Sequence, residues 1–234
     1  MEHTGIKIDD KHTAKDWGLR MISMVIPMPE TKTNYIDIPG ADGSLDLTQS
    51  LIGDVPYNMR EGVQFTFDAS GGYEDWHAMT SEIANHLHGR KRKVIIDSDP
   101  GFFYEGRLQL DSQKSSEIIN QIVITGTMDA YKYEVADSLG DWMWDDFNFE
   151  TSIVREYNDL QVEGDLTVVI PGLRKHVIPI ITASAAMTVS YQSKAYNLVI
   201  GANKIYDLAL TEGENILTFT GSGAISIEYR GGSL

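Results

Sequence analysis

The chain has 234 residues, of which 42% are hydrophobic and 23% charged, and this balance indicates a folded protein with one large or two modest cores. A formal net charge of −15, from 34 acidic and 19 basic residues, argues against direct nucleic-acid binding, which needs a basic surface to displace counterions from phosphates. The absence of cysteine excludes disulfides, zinc–thiolate sites and thiol nucleophiles, and no apolar run reaches the ~18 residues of a membrane span.

The first half of the chain predicts several strands around one helix. Apolar and polar residues alternate with the period of a strand over residues 22–26 and 63–67. Further strands are predicted over residues 94–96, 102–110 and 121–127. A helix is predicted near residues 74–88, because apolar side chains recur there at helical spacing. The apolar stripe consists of Trp76, Met79, Ile83 and Leu87. Glu74 and Asp75 are expected in its first turn, and Gly89 stands where a helix commonly ends.

The stretch Tyr35–Arg60 reads YIDIPGADGSLDLTQSLIGDVPYNMR and contains a predicted β-hairpin. Two short runs of alternating residues flank a Gly-rich break within it. Asp42 and Gly43 are expected to supply the positive φ angles that a tight turn needs.

The second half of the chain predicts a β-sandwich or jelly roll. Residues 137–140 form the predicted linker, and short strands with Gly, Asn and Glu turns follow, their starts about ten residues apart. These strands cover residues 166–170, 177–181, 187–191, 196–200, 205–210, 216–220 and 224–229. Gly221–Gly223 read as a plain turn, and no internal repeat is apparent. The fold class is therefore mainly β, with an α+β domain over residues 1–137 and a sandwich over residues 138–234.

Candidate sites for metal binding or catalysis have little support. His77 and His86 lie nine residues apart, on opposite sides of the predicted helix, and cannot share a metal. Asp97–Asp99 could open a calcium loop, but the later ligands are missing and an ordinary turn is favoured. The chain has no G-x-S-x-G, phosphate-loop or G-x-G-x-x-G motif, and no cofactor is expected. A further acidic group could bind a divalent cation, although a solvated or interface-facing role is commoner: Asp141, Asp145, Asp146 and Glu150.

The aromatic residues of the second half favour packing over sugar binding. Four tyrosines share their strand faces with apolar residues and are expected to point into the core. They are Tyr191, Tyr196, Tyr206 and Tyr229. Trp142 and Trp144 are better candidates for a contact surface between domains or subunits.

Several segments, taken in order, resemble the distal tail protein (Dit) family of long-tailed, non-contractile bacteriophages and related prophages. The most specific segment is Ile38–Gly43 followed by Leu45–Thr48, with Tyr57 and Arg60 before the next strand. The signature residues are Pro39, Gly40, Asp42, Gly43, Leu45, Asp46, Leu47, Tyr57 and Arg60. Other matching segments are residues 12–13, 16–19, 87–90, 104–107, 130–133 and 225–232.

The resemblance implies an amino-terminal belt domain and a carboxy-terminal galectin-like sandwich. Six belt domains would close into a homohexameric ring at the end of the tail tube. This ring would join the tube protein to the tail-associated (Tal-type) hub protein and, in some phages, to a receptor-binding protein. DNA would pass through the ring without being bound. A structural protein of the virion tail tip, assembled in the host cytoplasm and not an enzyme, is the function implied.

Two charge clusters take on expected roles in such a ring. Residues 133–165 hold ten acidic residues and one basic residue, Arg155. Part of this stretch, or carboxylates of the belt domain, is expected to face the lumen, where negative charge repels DNA phosphates. The basic run Arg90, Lys91, Arg92 and Lys93 is expected to meet acidic residues of a neighbouring subunit or tail protein.

Two other functions stay open. The main alternative to a tail-tip protein is a carbohydrate-binding, lectin-like module for the host cell wall, carried by the same sandwich. A glycan-degrading enzyme is more distant, because the separation of two catalytic carboxylates is spatial and no sequence pattern favours such a pair.

Overall fold

The computed structural model describes residues 5–50, 53–69, 76–115, 120–136, 138–139 and 157–234. The described chain is mainly β, as the sequence predicts. Its strands and helices are β1 (Ile6–Ile8), β2 (Lys11–His12), α1 (Thr13–Trp17), β3 (Leu19–Val25), β4 (Tyr35–Asp37), β5 (Ser44–Asp46), β6 (Arg60–Ala69), α2 (Trp76–Leu87), β7 (Lys91–Ile96), β8 (Asp99–Ser115), β9 (Asn120–Met128), β10 (Lys132–Glu134), β11 (Leu160–Gly172), β12 (Ile180–Ala183), β13 (Met187–Tyr191), β14 (Lys194–Leu198), β15 (Gly201–Lys204), β16 (Gly213–Glu228) and β17 (Gly232–Ser233).

The chain divides into two compact units. The first contains Met1–Ser98, Tyr104–Ala130 and Leu234, and the second contains Asp99–Phe103 and Tyr131–Ser233. The functional domains assigned above to residues 1–137 and 138–234 stay a prediction. Ser138, from the predicted linker, is buried in the second unit, where its hydroxyl accepts the backbone N–H of Tyr229 at 2.7 Å.

The first unit is built on a sheet with the strand order β2-β1-β7-β8-β9-β6-β3. The predicted strand at residues 63–67 is the middle of β6, where Val63, Phe65 and Phe67 are completely buried. Their side chains pack in one cluster with Ile83 and Leu87 of α2. Each such side chain contributes roughly 1.5–3 kcal/mol by leaving water. Helix α2 therefore covers one face of the sheet, and the other face presents the alternate, more polar residues.

The predicted helix is confirmed as α2. Trp76, Ile83 and Leu87 of the predicted stripe are buried, and Met79 is partly buried against the same core. Gly89 follows the helix with φ of +73°, the left-handed conformation that ends many helices. Two residues expected in the first turn, Glu74 and Asp75, lie outside the described residues.

A second, short helix was not predicted from the sequence. Helix α1 spans five residues, too few to show a helical period. It begins at His12, whose Nδ1 accepts the backbone N–H groups of Ala14 and Lys15 at 3.1 and 3.2 Å. Histidine is an uncommon N-cap, so the usual Ser, Thr, Asp or Asn signal is missing at this position.

The second unit is a β-sandwich with the strand order β14-β13-β16-β12-β15 and with β11 along β16. The prediction of two strands joined by a turn at Gly221–Gly223 is wrong, because β16 runs without interruption. Before these glycines β16 pairs with β13, and after them it pairs with β12. A Cβ atom at Gly221 would lie 2.6 Å from the Cβ of Met187. The glycines thus let one strand pass closely between the two halves of the sandwich.

Candidate assembly site

The signature residues lie together in one segment, residues 27–60, called the arm from here on. The arm leaves the sheet after β3 and returns to it at β6. Near the base of the arm, the segment that leaves the sheet pairs with the segment that returns to it. Thr31 and Tyr57 form an antiparallel bridge, and Lys32 N donates a 2.8 Å hydrogen bond to Pro56 O. Farther out, β4 and β5 form the predicted hairpin as a separate two-stranded sheet. Every residue from Glu30 to Asp46 is exposed.

The tip of the arm owes its shape to a turn over Ile38–Ala41. A 3.1 Å hydrogen bond from the last backbone N–H to the first carbonyl closes this turn. Pro39 and Gly40 occupy its centre, and Gly40 has φ of +83°, as a type II turn requires. Gly43 supplies the second positive φ, +75°. The prediction that Asp42 has a positive φ is wrong, because the hairpin is closed by a longer loop than a two-residue turn.

The segment Leu45–Thr48 contains the end of β5 and forms hydrogen bonds with Asn34, just before β4. The backbone N–H of Thr48 donates to Asp46 Oδ1 at 2.9 Å, and the Thr48 hydroxyl accepts the backbone N–H of Asn34 at 3.0 Å. The Thr48 hydroxyl and, to a smaller extent, its backbone N–H lower the pKa of Asp46 below its usual value. Leu47 N donates to Asn34 O at 2.8 Å. Asp46 and Leu47 are thus signature residues that shape the arm.

Arg60 holds the base of the arm. Its side chain is 2% exposed, and it is among the largest fully buried side chains in the described residues. Nε donates to Ala130 O at 2.9 Å, and Nη1 donates to Pro27 O at 2.8 Å. Because Pro27 is the first residue of the arm and Arg60 is the last, this side chain joins the two ends of the arm. The Tyr104 ring centroid lies 5.5 Å away. Burial lowers the pKa of Arg60, and Nη2 has no hydrogen-bond partner among the described residues.

The predicted basic run divides into two pairs. Lys91 lies 3.5 Å from a Glu105 oxygen and 3.6 Å from an Asp129 oxygen. Arg92 pairs with Asp9 at 2.8 Å and donates to the carbonyl of His86 in the last turn of α2. A basic group there complements the negative end of the helix dipole.

The other two members of the basic run, Arg90 and Lys93, are exposed. The carbonyl of Arg90 accepts the backbone N–H of Leu108 at 3.1 Å, which places Arg90 beside the strand that carries Arg107. Lys91 is exposed as well. Contact between this run and another subunit stays a prediction.

The two described carboxylates of the candidate calcium loop, Asp97 and Asp99, make contacts within the chain. Asp97 and Ser98 form a turn, as favoured above, and Asp97 accepts the backbone N–H of Gly5 at 2.6 Å and contacts His12 Nε2 at 3.0 Å. Asp99 pairs with Lys132 at 2.7 Å. Within the described residues, no group of three His, Asp or Glu could hold a metal ion. Six sequence candidates lie outside the described residues: Asp141, Trp142, Trp144, Asp145, Asp146 and Glu150.

The tyrosines of the second unit follow the predicted parity with one exception. Tyr191 and Tyr229 are buried, and Tyr196 is half-buried against the same core. The prediction for Tyr206 is wrong, since its side chain is 74% exposed. Residues 205–210 form a turn and one isolated bridge in place of the predicted strand, so the two-residue alternation does not apply to them.

Two other segments of the resemblance come together in the second unit. β10 pairs with β17 and with Phe102 and Phe103 at the start of β8. The Arg230 guanidinium lies 5.4 Å from the Phe103 ring and donates to Val135 O at 3.0 Å. A Cβ atom at Gly232 would lie 2.9 Å from a Lys175 carbon, so the closing glycines allow the last strand to approach.

These features define a class of fold: a mainly-β chain of two units, the first with a helix-covered sheet and an exposed arm, the second a β-sandwich. The same overall fold occurs in the crystal structure of the SPP1 Dit protein (gp 19.1), which is described as a paradigm of the hub adsorption apparatus in phages that infect Gram-positive bacteria. The TM-score is 0.62 at 12% sequence identity, and the match covers 97% of this chain and 98% of that chain. This likeness confirms the predicted resemblance at the level of the fold.

No protein-family model and no curated protein matches the sequence. In the part of the chain that the structure describes, no helix is long and apolar enough to cross a membrane.

Proposed function

We propose that this chain is a structural component of a phage tail tip, a hub that assembles with copies of itself into a ring. The observation that carries the proposal is the arm, whose apolar side chains Tyr35, Ile36, Ile38 and Leu45 are all exposed. The likeness in fold to SPP1 Dit supports the same function.

The arm supports assembly because an isolated two-stranded hairpin is marginally stable in water at best. Strand β3 adds a second exposed surface, since Ile22, Met24 and Val25 are exposed and β3 pairs with β6 alone among the described strands. Exposed apolar edge strands promote pairing with another chain. Two different adhesive surfaces on one chain produce head-to-tail contacts, which close into a ring when the rotation fits.

The ring is a homohexamer in this proposal, and it leaves a channel through which DNA passes without being bound. It joins the tail tube protein to a tail-associated hub protein and to receptor-binding proteins, and it is assembled in the host cytoplasm. Acidic groups from residues 133–165 or from the belt domain face the channel. The fold likeness to a hub protein supports a structural role and not catalysis.

The mass of the particle in solution tests this proposal. We expect light scattering across a concentration series to give six times the chain mass, and electron microscopy of the same samples to show a ring with a central opening. The double variant Ile36→Asp and Leu45→Asp is expected to lose the ring and keep its circular dichroism spectrum. Val169→Asp, at a site 47% exposed on the sandwich, is the matched control for Leu45, which is 48% exposed. A chain that stays monomeric even with tail tube protein added would contradict the proposal.

Charge reversal in the basic run is expected to weaken assembly at low salt. The double variant Arg90→Glu and Lys93→Glu changes two exposed residues of the run and leaves the ion pairs of Lys91 and Arg92 unchanged. We expect the ring fraction to fall at ~20 mM salt and to recover at ~0.5 M, where repulsion is screened. Lys194→Glu with Lys204→Glu, two exposed positions of the second unit, is the control. Ring formation at low salt equal to that of the control would reject the contact.

A carbohydrate-binding function is the second candidate, because the side chain of Tyr206 is exposed, whereas the sequence predicted that it would be buried. Lys204 Nζ lies 5.7 Å from the centroid of its ring, so an aromatic platform has a cation beside it. Aromatic side chains of this kind present a flat apolar surface with a polar edge. Saturable binding of wall polysaccharide by the full chain, lost in Tyr206→Ala, would favour this candidate. Equal binding of the polysaccharide by Tyr206→Ala and by the unchanged chain would reject this candidate.

A further inference from the structure

Met28, at the base of the arm, combines an exposed side chain with a contact to a buried cation. Its side chain is 74% exposed, more than that of any other methionine in the described residues, and Met59 and Met24 follow at 48% and 39%. Arg60, which is 2% exposed, nevertheless donates from Nη1 to Met28 Sδ at 3.8 Å. A thioether that solvent can reach therefore lies against a guanidinium that solvent cannot reach.

The guanidinium of Arg60 has more donors than strong acceptors. Its five N–H groups include those on Nε and Nη1 that bind the carbonyls of Ala130 and Pro27. The Met28 sulfur is a weak acceptor, and Nη2 has no hydrogen-bond partner among the described residues. A buried donor without an acceptor lowers stability, because it has lost its hydrogen bonds to water. An oxygen atom placed on the Met28 sulfur would supply the missing acceptor.

We propose that Met28 is an oxidation site whose sulfoxide oxygen binds the guanidinium of Arg60. In the reaction, a lone pair of Sδ attacks one oxygen of hydrogen peroxide, the O–O bond breaks, an S–O bond forms and water leaves. The sulfur loses two electrons and the peroxide gains them. The new oxygen accepts N–H groups of Nη1 and Nη2, and such a bond is strong because the donor carries a positive charge.

The consequence is opposite in sign to the usual effect of methionine oxidation. A sulfoxide normally disrupts apolar packing, because it makes an apolar side chain polar. Met28 is mostly in solvent, and the new oxygen faces donors, so oxidation strengthens the point where Arg60 joins the two ends of the arm. Methionine sulfoxide reductases reverse the modification, so the site can act as a redox-sensitive clamp. This inference goes beyond the proposed function and does not depend on ring formation.

Treatment of the full chain with hydrogen peroxide tests the site. Peptide mass spectrometry over a time course measures the oxidation of each methionine, and we expect Met28 to react faster than Met59 and Met24. Denaturant unfolding at one protein concentration measures stability. When Met28 is oxidised, we expect the equilibrium constant for unfolding to fall about tenfold, the effect of a hydrogen bond to a charged group. Slower oxidation of Met28 than of Met59, or a loss of stability on oxidation of Met28, would overturn the proposal.

Two variants test the same contact without an oxidant. Met28→Gln places an amide oxygen near the guanidinium, and Met28→Leu removes the acceptor at similar size. We expect Met28→Gln to have the smaller equilibrium constant for unfolding, by about tenfold. Met59→Gln and Met59→Leu are the matched controls, because Met59 is also exposed in the arm and is not among the groups to which Arg60 donates in the described residues.

The comparison of the two positions decides the result. A gain from glutamine over leucine at position 28 and none at position 59 would support the contact with Arg60. Equal stability of the two variants at position 28, or a gain of the same size at position 59, would overturn the proposal. Either result leaves the hub proposal in place, because the stability of the arm base and the formation of a ring are measured separately.

Discussion

Replacing Arg60 with alanine is expected to lower the free energy of unfolding by roughly 3–5 kcal/mol. The change removes a large side chain that is 2% exposed and leaves a void in its place. It also leaves the carbonyls of Pro27 and Ala130 without the donors that they now have at 2.8 and 2.9 Å. The loss is partly offset, because the guanidinium is a buried charge and no carboxylate is paired with it among the described residues.

The same substitution is expected to disturb assembly, since Arg60 holds the two points where the arm meets the sheet. Denaturant unfolding of the full chain measures the stability, and light scattering measures the ring fraction at the same protein concentration. Arg20→Ala is the matched control, because its side chain is 63% exposed and its ion pair with Asp68 lies at the surface. A surface pair of this kind contributes at most about 1 kcal/mol. Equal stability losses for the two variants would show that Arg60 is not an anchor.

The arm shows what a sequence pattern can and cannot predict about this chain. Alternation around Ile36 and Leu45 correctly predicted a hairpin, because alternation records the period of a strand. The same alternation normally means that one face packs on the chain's own core, and here both residues are exposed. In the proposed ring, a second copy would cover this face, and that contact would explain the pattern. Arg60 was marked by the resemblance alone, since periodicity gives no sign of a buried arginine that binds two carbonyls.

Glycine and asparagine positions account for most of the errors in the second unit. Gly221 and Gly223 have the composition of a turn but occupy a continuous strand, where their role is close packing against Met187 and Ser184. A repeat was also missed. LVIGAN at residues 198–203 and LTEGEN at residues 210–215 share the pattern L-x-x-G-x-N, which is short enough to pass for chance in a sequence.

The two copies of this pattern form the same turn. Asn203 Oδ1 accepts the backbone N–H of Val199, and Asn215 Oδ1 accepts that of Thr211, each at 2.9 Å. Each asparagine Nδ2 also donates to carbonyls of its own turn and of a neighbouring strand, at 2.8–3.2 Å. The glycine two residues earlier has φ of +97° in the first copy and +94° in the second. The pattern is therefore a structural repeat in which one side-chain amide closes a loop.

Because the two asparagines differ in burial, they provide an internal comparison of what such an amide contributes. Asn215 is 2% exposed and also accepts the hydroxyl of Tyr191 at 2.7 Å, whereas Asn203 is half-buried. We expect Asn215→Ala to lower the free energy of unfolding by about 3 kcal/mol, because the buried carbonyl of Ile170, two partly buried carbonyls and the N–H of Thr211 lose their partner. The Tyr191 hydroxyl keeps Ala209 O, at 3.0 Å, as an acceptor. Asn203→Ala is expected to cost about 1 kcal/mol, since water can reach the groups that it uncovers.

Denaturant unfolding of both variants measures these losses. The groups that lose a partner in Asn215→Ala are less accessible to water than those in Asn203→Ala, whereas the hydrogen-bond geometry of the two turns is the same. The difference between the two losses of stability therefore measures the effect of burial. Similar losses at the two sites would mean that loop closure, and not the desolvation of its polar groups, sets the contribution of this repeated turn.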